Sequence, residues 1–256
     1  MAVSTLRVAR RPRTFVRVAG PGAADYLNRM VSNDVLSLAA GDVCDALLLT
    51  PKAKLIAPLR VLRRGDDDFL LLTEPELGEN VRAELTRMRF AAKCEIEPEQ
   101  HDSHVVLGAT QDGIPTADYG VPAVEVLTPA DGAPIGDEEL ERLRIGAGTP
   151  RWGHELDDKV LPAEAGLDET HISFTKGCYP GQEPIARLHY RGHVNRILRV
   201  LDVDSARQGD EIKLGDQTVG RVTSAVPGVA LGYVRTNVPE EAELKIGTEA
   251  ARIRPT

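Results

Sequence analysis

The segment Phe174-Thr175-Lys176-Gly177-Cys178-Tyr179-Pro180-Gly181-Gln182-Glu183 brings an amine, a thiol, a phenol, an amide and a carboxylate together around two glycines. Gly177 and Gly181 permit a positive φ or a close approach of backbone to a ligand. Pro180-Gly181 suits a turn that presents Cys178 and Tyr179 on one side. The thiolate is the nucleophilic form of cysteine, and Lys176, with Arg187 further on, is the kind of neighbour that lowers a thiol pKa. The chemistry on offer is that of a reactive thiol. The competing reading is a polar turn whose cysteine only packs, since free cysteine is among the most buried residue types.

Other polar groups carry less. His189 and His193 are four apart, but Gly192 intervenes and no third ligand follows, so no metal site is expected. Asp66-Asp67-Asp68 follows Gly65 and reads as a solvated hairpin turn, because a calcium loop needs alternating ligands. Asp157-Asp158 reads as loop solvation, with a catalytic role as the alternative. Trp152, the single tryptophan, is either a core plug or a stacking wall for a flat ligand.

Elements must position these groups. Thr14 to Val18 is β-prone and leads through Gly20-Pro21-Gly22 into Ala24, Leu27, Met30 and Val31 at helical spacing. Asp45 to Thr50, Leu55 to Leu62 and Phe69 to Thr73 read as paired strands around the breaks at 51–54 and 63–68. Pro75 opens a helix carrying Leu77, Val81, Leu85 and Met88, and Cys94-Glu95-Ile96 returns to strand. Strands are expected again at His104 to Leu107 and Ala123 to Leu127. A helix follows from Asp137 to Ile145, its acidic start suiting the helix dipole. Periodicity fades from Gly146 to Tyr190, and so long an irregular stretch in a compact chain is either functional or disordered. The apolar anchors Trp152, Leu161, Ile172 and Phe174 favour the ordered, functional reading. After Arg191-Gly192, short β-prone runs at Ile197 to Val203, Glu211 to Leu214, Thr218 to Ser224, Ala230 to Val234 and Ala242 to Ile246 indicate a small antiparallel barrel or sandwich.

The chain has 256 residues, 42% of them hydrophobic, and a net charge of −8, which is ample for a core and unfavourable for a surface coated with phosphate-binding cations. Arg187, Arg191, Arg196 and Arg199 nevertheless cluster after the central motif. Cys44, Cys94 and Cys178 are too widely spaced for a disulfide framework. No apolar run reaches membrane-spanning length, and Met1 to Arg17 lacks a signal-peptide block. A cytoplasmic location with reduced thiols is expected.

The string Lys-Gly-Cys-Tyr-Pro-Gly-Gln-Glu at 176–183, with Ala186-Arg187, Arg191-Gly192 and Arg196, resembles the signature of the YgfZ-type folate-binding family, relatives of the glycine-cleavage T-protein (aminomethyltransferase). The likeness extends to Val18-Ala19-Gly20, Asn33-Asp34-Val35, Arg144 to Pro150, Leu161 to Leu167 and Gly220 to Ser224. It implies an α+β, three-part fold of T-protein type: two ferredoxin-like α/β units around a central channel and a small C-terminal antiparallel β-barrel, divided here at 1–100, 101–192 and 193–256. It also implies tetrahydrofolate as cofactor, iron–sulfur enzymes or cluster-assembly proteins as partners, and any effect on tRNA modification through those enzymes. Neither direct nucleic-acid binding nor a membrane is expected.

By the same resemblance Cys178 and Lys176 are the reactive pair, and Tyr179, Gln182, Glu183, Arg187 and Trp152 are candidate folate contacts. Val124-Glu125-Val126 matches the T-protein strand whose glutamate holds the pterin, and a carboxylate there accepts two hydrogen bonds from the pterin edge. The alternative for Glu125 is an exposed strand residue. Two departures stand out. Where the T-protein carries its catalytic aspartate, Lys54-Leu55-Ile56-Ala57-Pro58 has no carboxylate, so classical aminomethyl transfer is not expected. A T-protein arginine four places before Arg144 is Leu140 here. Two other functions remain to be weighed: a folate-dependent one-carbon transferase or demethylase, and a partner-binding module without chemistry.

Overall fold

The structure is a computed structural model that describes residues 6–109 and 112–255. Met1–Thr5, at the arginine-bearing start of the chain, lie outside the described residues. Two compact units emerge, and they cross the chain-order divisions. One takes the described residues of Met1–Arg10, His104–Gly166 and His193–Thr256, and the other takes Arg11–Ser103 and Leu167–Gly192.

The second of these, which carries the signature, is built on a five-stranded antiparallel sheet in the order Val43–Leu49, Leu55–Gly65, Asp68–Thr73, Thr14–Ala19, Glu95–Glu99. Phe69, Leu70, Leu71 and Leu72 are consecutive and buried, so the central strand has no solvent face, which explains its unbroken apolar run. The helix Ala23–Met30 buries Ala23, Tyr26, Leu27 and Met30, and Gly78–Met88 buries Val81 and Leu85. Leu27, Met30, Val81 and Leu85 are among the residues foreseen from the helical period, whereas Ala23 and Tyr26 are not, and the expected Ala24 and Met88 are half-buried. Gly65 faces Asp68 across the hairpin end, and Asp68 pairs with Arg64 and Arg17, so the aspartate run is a solvated turn.

The same unit holds two helices that fall within the stretch expected to be irregular. Asp168–His171 packs on the strand Val43–Leu49, and Gln182–Arg191 follows the signature directly. Pro180, Gly181 and Pro184 read as breakers along the sequence. Pro184 lies in the first helical turn, where its missing N–H has no intrahelical partner to lose.

The first unit combines a five-stranded sheet with a closed barrel. The sheet runs Ala133–Pro134, Arg7–Arg10, His104–Leu107, Ala123–Val126, Ile114–Thr116. Helix Asp137–Gly146 lays Leu140 and Leu143 on Ala9, Val105, Leu107, Tyr119, Ala123 and Ile135. The barrel runs Arg196–Val203, Gly228–Arg235, Gln217–Val226, Glu211–Leu214, Leu244–Ile246, Glu249–Ile253 and closes back on Arg196–Val203. Leu201, Val222, Ala230, Leu244 and Ile253 are among the residues filling it. Ile145 of the helix meets Val229 and Leu231 of the barrel, so sheet, helix and barrel share one unit. No helix among the described residues is long and apolar enough to cross a membrane.

Candidate functional site

The signature loop is tied down at Lys176. Its Nζ donates to the carbonyls of Val31 at 2.7 Å and Asn33 at 2.8 Å, and also to that of Asn28. The C-terminal carbonyls of a helix lack intrahelical partners and carry the negative end of its dipole. An ammonium set against Asn28, Val31 and Asn33 therefore caps the end of Ala23–Met30. All three ammonium donors are engaged there, which leaves Lys176 none to give a Cys178 thiolate. Burial pushes the amine down to about 8, against the upward pull of Asp34 and Cys44. Cys44 itself is pushed up to about 12 by burial and by Asp45, which makes it inert as a thiolate.

Ser32 fastens the same loop from the other side. Its hydroxyl donates to His171 O at 2.6 Å and accepts from Leu47 N at 2.8 Å. Asn33 Nδ2 reaches Asp45 O and Thr170 O. The Asn33-Asp34-Val35 motif is thus a brace between the strand Val43–Leu49 and the chain leading to the signature.

Gly181 supplies the third fastening. Its φ is +85°, and a Cβ there would sit 2.8 Å from Thr50 O and 3.0 Å from Ala53 Cα. Only glycine lets the loop close on the turn between the first two strands of the sheet. Gly177 has no such requirement, with open space where a Cβ would be.

Between these fastenings the side chains divide sharply. Cys178 is exposed. Tyr179 is only 7% exposed, its ring 5.4 Å from Lys176 Nζ, and its buried hydroxyl has no hydrogen-bond partner among the described residues. Burial pushes that phenol up to about 12, so at neutral pH it is a proton donor. Gln182 is half-buried at the helix start, while Glu183 and Arg187 face solvent.

Glu125 and Trp152 belong to the other unit. Glu125 is not the exposed strand residue of the alternative reading. It has no exposed surface and sits in register with Val105 and Ile114, on the face of Ala123 and Val105 that the helix Asp137–Gly146 covers. Carboxylates are rarely so placed without a function or a partner. Trp152 is half-buried and bridges to Leu156. Asp157 accepts from Lys159 N and Val160 N, shaping its own loop. At the position of the missing catalytic carboxylate, Ala57 is fully buried and Pro58 O accepts from Thr73 Oγ1.

The arginine cluster is partly neutralised. Arg196 forks onto Glu164 at 3.0 and 3.1 Å, and Arg199 pairs with Glu240 at 3.0 Å. Arg187 and Arg191 form no ion pair among the described residues.

Sequence reading marked the stretches that hold Arg144, Thr149 and Ser224 but did not foresee that they converge with Glu141 and Glu155 in one polar centre. Arg144, nearly buried, reaches Glu155 at 3.0 Å, Glu141 at 2.7 Å, Ser224 Oγ at 2.9 Å and Thr149 O at 2.5 Å. Glu155 is fully buried and accepts as well from Ser224 Oγ at 2.6 Å and Arg151 N at 3.0 Å. The network joins helix, loop and barrel. Nothing in the spacing of these residues marks Glu155, which lies in the stretch without periodicity. No group of three or more His, Cys, Asp or Glu among the described residues is placed to hold a metal ion.

No protein-family model matches the chain. A tRNA-modifying protein YgfZ of Edwardsiella ictaluri is 29% identical, with 92% of this chain and 86% of the relative covered. An uncharacterized protein of Haemophilus influenzae is 28% identical over 83% of this chain and 81% of its own length. An aminomethyltransferase of Desulforamulus reducens is 24% identical over 93% and 82%. Among solved structures, the glycine cleavage system aminomethyltransferase T from Bartonella henselae superposes with a TM-score of 0.86 at 18% identity, covering 97% of this chain and 84% of that one. That likeness is one of fold, and it is the fold expected from the signature.

Proposed function

We propose that this YgfZ-type protein, related to the glycine-cleavage T-protein, binds a tetrahydrofolate through Glu125 and serves iron–sulfur enzymes through the exposed thiol of Cys178, without aminomethyl transfer. The observation that carries the folate half is Glu125 itself, a carboxylate with no exposed surface in the strand Ala123–Val126. A carboxylate offers two acceptor oxygens, matching the adjacent amino and ring N–H donors along a pterin edge. A bound folate would supply a one-carbon carrier, and this chain's residues bind and orient it. Glu183 and Arg187, both in solvent, are left out of the folate contacts in this reading.

Cys178 is suited to the other half because a soft thiolate is a ligand for cluster iron and this one is exposed on a loop fastened at Lys176 and Gly181. Lys176 acts in this reading as a positioning residue and not as an acid or base. The buried Tyr179 hydroxyl adds support for a ligand, since a buried donor without an acceptor is a standing cost that binding relieves. The one-carbon transferase reading finds no carboxylate at Ala57 or Pro58 to manage charge on a transferred carbon. An effect on tRNA modification, the role in the name of the Edwardsiella ictaluri relative, follows indirectly through iron–sulfur enzymes.

Calorimetric titration of the reduced protein with tetrahydrofolate tests the proposal. Saturable binding that weakens at least about 100-fold in Glu125→Ala, the loss expected when a charged bidentate acceptor of roughly 3 kcal/mol is removed, supports it. An absence of binding in the wild-type protein, or equal binding by the folded variant, sinks it.

A further inference from the structure

We infer that the exposed face of the helix Gln182–Arg191 is a docking surface for an acidic segment of a partner protein, with Tyr190 as its anchor and Arg187 and Arg191 as carboxylate clamps. The inference goes beyond the proposed function, which calls for client proteins but gives them no place to bind.

Residues 183, 187, 190 and 191 fall on one side of an α-helix. The opposite side holds buried Ile185 and half-buried Gln182, Ala186 and Leu188. Tyr190 is 66% exposed, the second most exposed large hydrophobic residue among those described. It is nevertheless held in place. Phe174 and His189 stack at 3.9 Å and 21°, and the Tyr190 ring stands edge-on to both, at 6.1 Å and 4.9 Å. A ring already fixed by its neighbours loses little freedom when a partner covers it.

Several arginines of the unit, Arg17, Arg60, Arg63 and Arg64, already hold a carboxylate. Arg187 and Arg191, like Arg29 and Arg89, form no ion pair among the described residues, although Glu183 lies one turn before Arg187. What sets them apart is the ordered, exposed tyrosine between them. Two guanidinium forks beside an ordered tyrosine combine the residue types that dominate protein interfaces, and each fork takes a carboxylate in two parallel hydrogen bonds. The net charge of −8 repels both anions, but a long phosphate chain carries far more charge into that field than a short acidic segment, whose few carboxylates two local clamps can hold.

The test is fluorescence anisotropy on the full-length protein. The probes are a short fluorescein-labelled peptide alternating Asp-Glu pairs with leucine, its Asn-Gln counterpart, and a labelled oligouridylate. The acidic peptide should bind best. Its Kd should rise about tenfold or more in Arg187→Gln/Arg191→Gln and in Tyr190→Ala. It should be unchanged in Arg29→Gln/Lys93→Gln, which removes the same charge from exposed positions elsewhere in the unit. Equal weakening in that control, tighter binding of the oligouridylate, or no saturable binding of the acidic peptide overturns the proposal. Because the readout is peptide binding, a failure to bind tetrahydrofolate leaves the inference standing.

Discussion

The Arg144–Glu155 network of one unit and the signature loop of the other are both dense in polar side chains, yet their interiors are finished differently. Around Glu155 the buried acceptors and donors find one another: arginine, serine, backbone amide and second carboxylate close a set. In the signature loop the fastenings are equally complete at Lys176, but the Tyr179 hydroxyl is buried with no hydrogen-bond partner among the described residues and the Cys178 thiol is left outside. Polar density therefore does not mark function. What separates the two regions is whether the polar groups are satisfied within the chain.

That contrast can be broken most forcefully at Glu155. Glu155→Ala takes from the buried Arg144 guanidinium one of its two carboxylates and leaves Ser224 Oγ and Arg151 N without their acceptor. At about 1–3 kcal/mol for each stranded donor it should cost about 3–5 kcal/mol in urea unfolding, and a loss below about 1 kcal/mol would deny that the network is a structural joint. Lys176→Met should cost about 1–3 kcal/mol by releasing the carbonyls of Asn28, Val31 and Asn33, with faster proteolysis around 174–181. Lys176→Arg should not restore it, because a planar fork cannot meet three converging carbonyls.

The acid side sharpens the comparison further. Burial alone would raise the Glu141 carboxyl, but the hydrogen bond from Arg144 and the charges of Arg144 and Arg151 outweigh it and hold the group below its ordinary value. A depressed carboxyl contributes stability that is present above its unfolded pKa and lost as pH falls through the folded one. The gap in urea midpoint between wild type and Glu141→Gln should thus be open near neutral pH and narrow as the pH falls below the ordinary glutamate range. A gap independent of pH would assign the effect to packing. The smallest effect is expected at Tyr179. Tyr179→Phe removes a hydroxyl that has no hydrogen-bond partner among the described residues, so stability should stay within about 0.5 kcal/mol of wild type or rise. A clear loss would reveal a partner and erase the contrast.

How much of this was legible beforehand depended on the range of the interactions. The helices Ala23–Met30 and Gly78–Met88 and most barrel strands show in the spacing of apolar residues, which is local information. The signature was visible by composition, and Gly181 by the turn it needs. The helix Gln182–Arg191 was hidden because it buries only Ile185, too little to raise a period above two prolines. Arg7–Arg10 was hidden because its partners lie at His104–Leu107 and Ala133–Pro134. Glu155 was invisible for the same reason, its partners being gathered from a helix, a loop and a barrel strand.

The strand Arg7–Arg10 has a consequence for the order in which the molecule is made. It leaves the ribosome before any of Arg11–Ser103, yet the strand it pairs with begins only at His104. At about 5–20 residues per second, roughly 5–20 s pass between the two, during which the complete sheet of the other unit has time to form behind it. A nascent chain therefore carries an unmatched strand with open hydrogen-bonding edges for most of its early life, and that interval is when a ribosome-associated chaperone would be of most use to it.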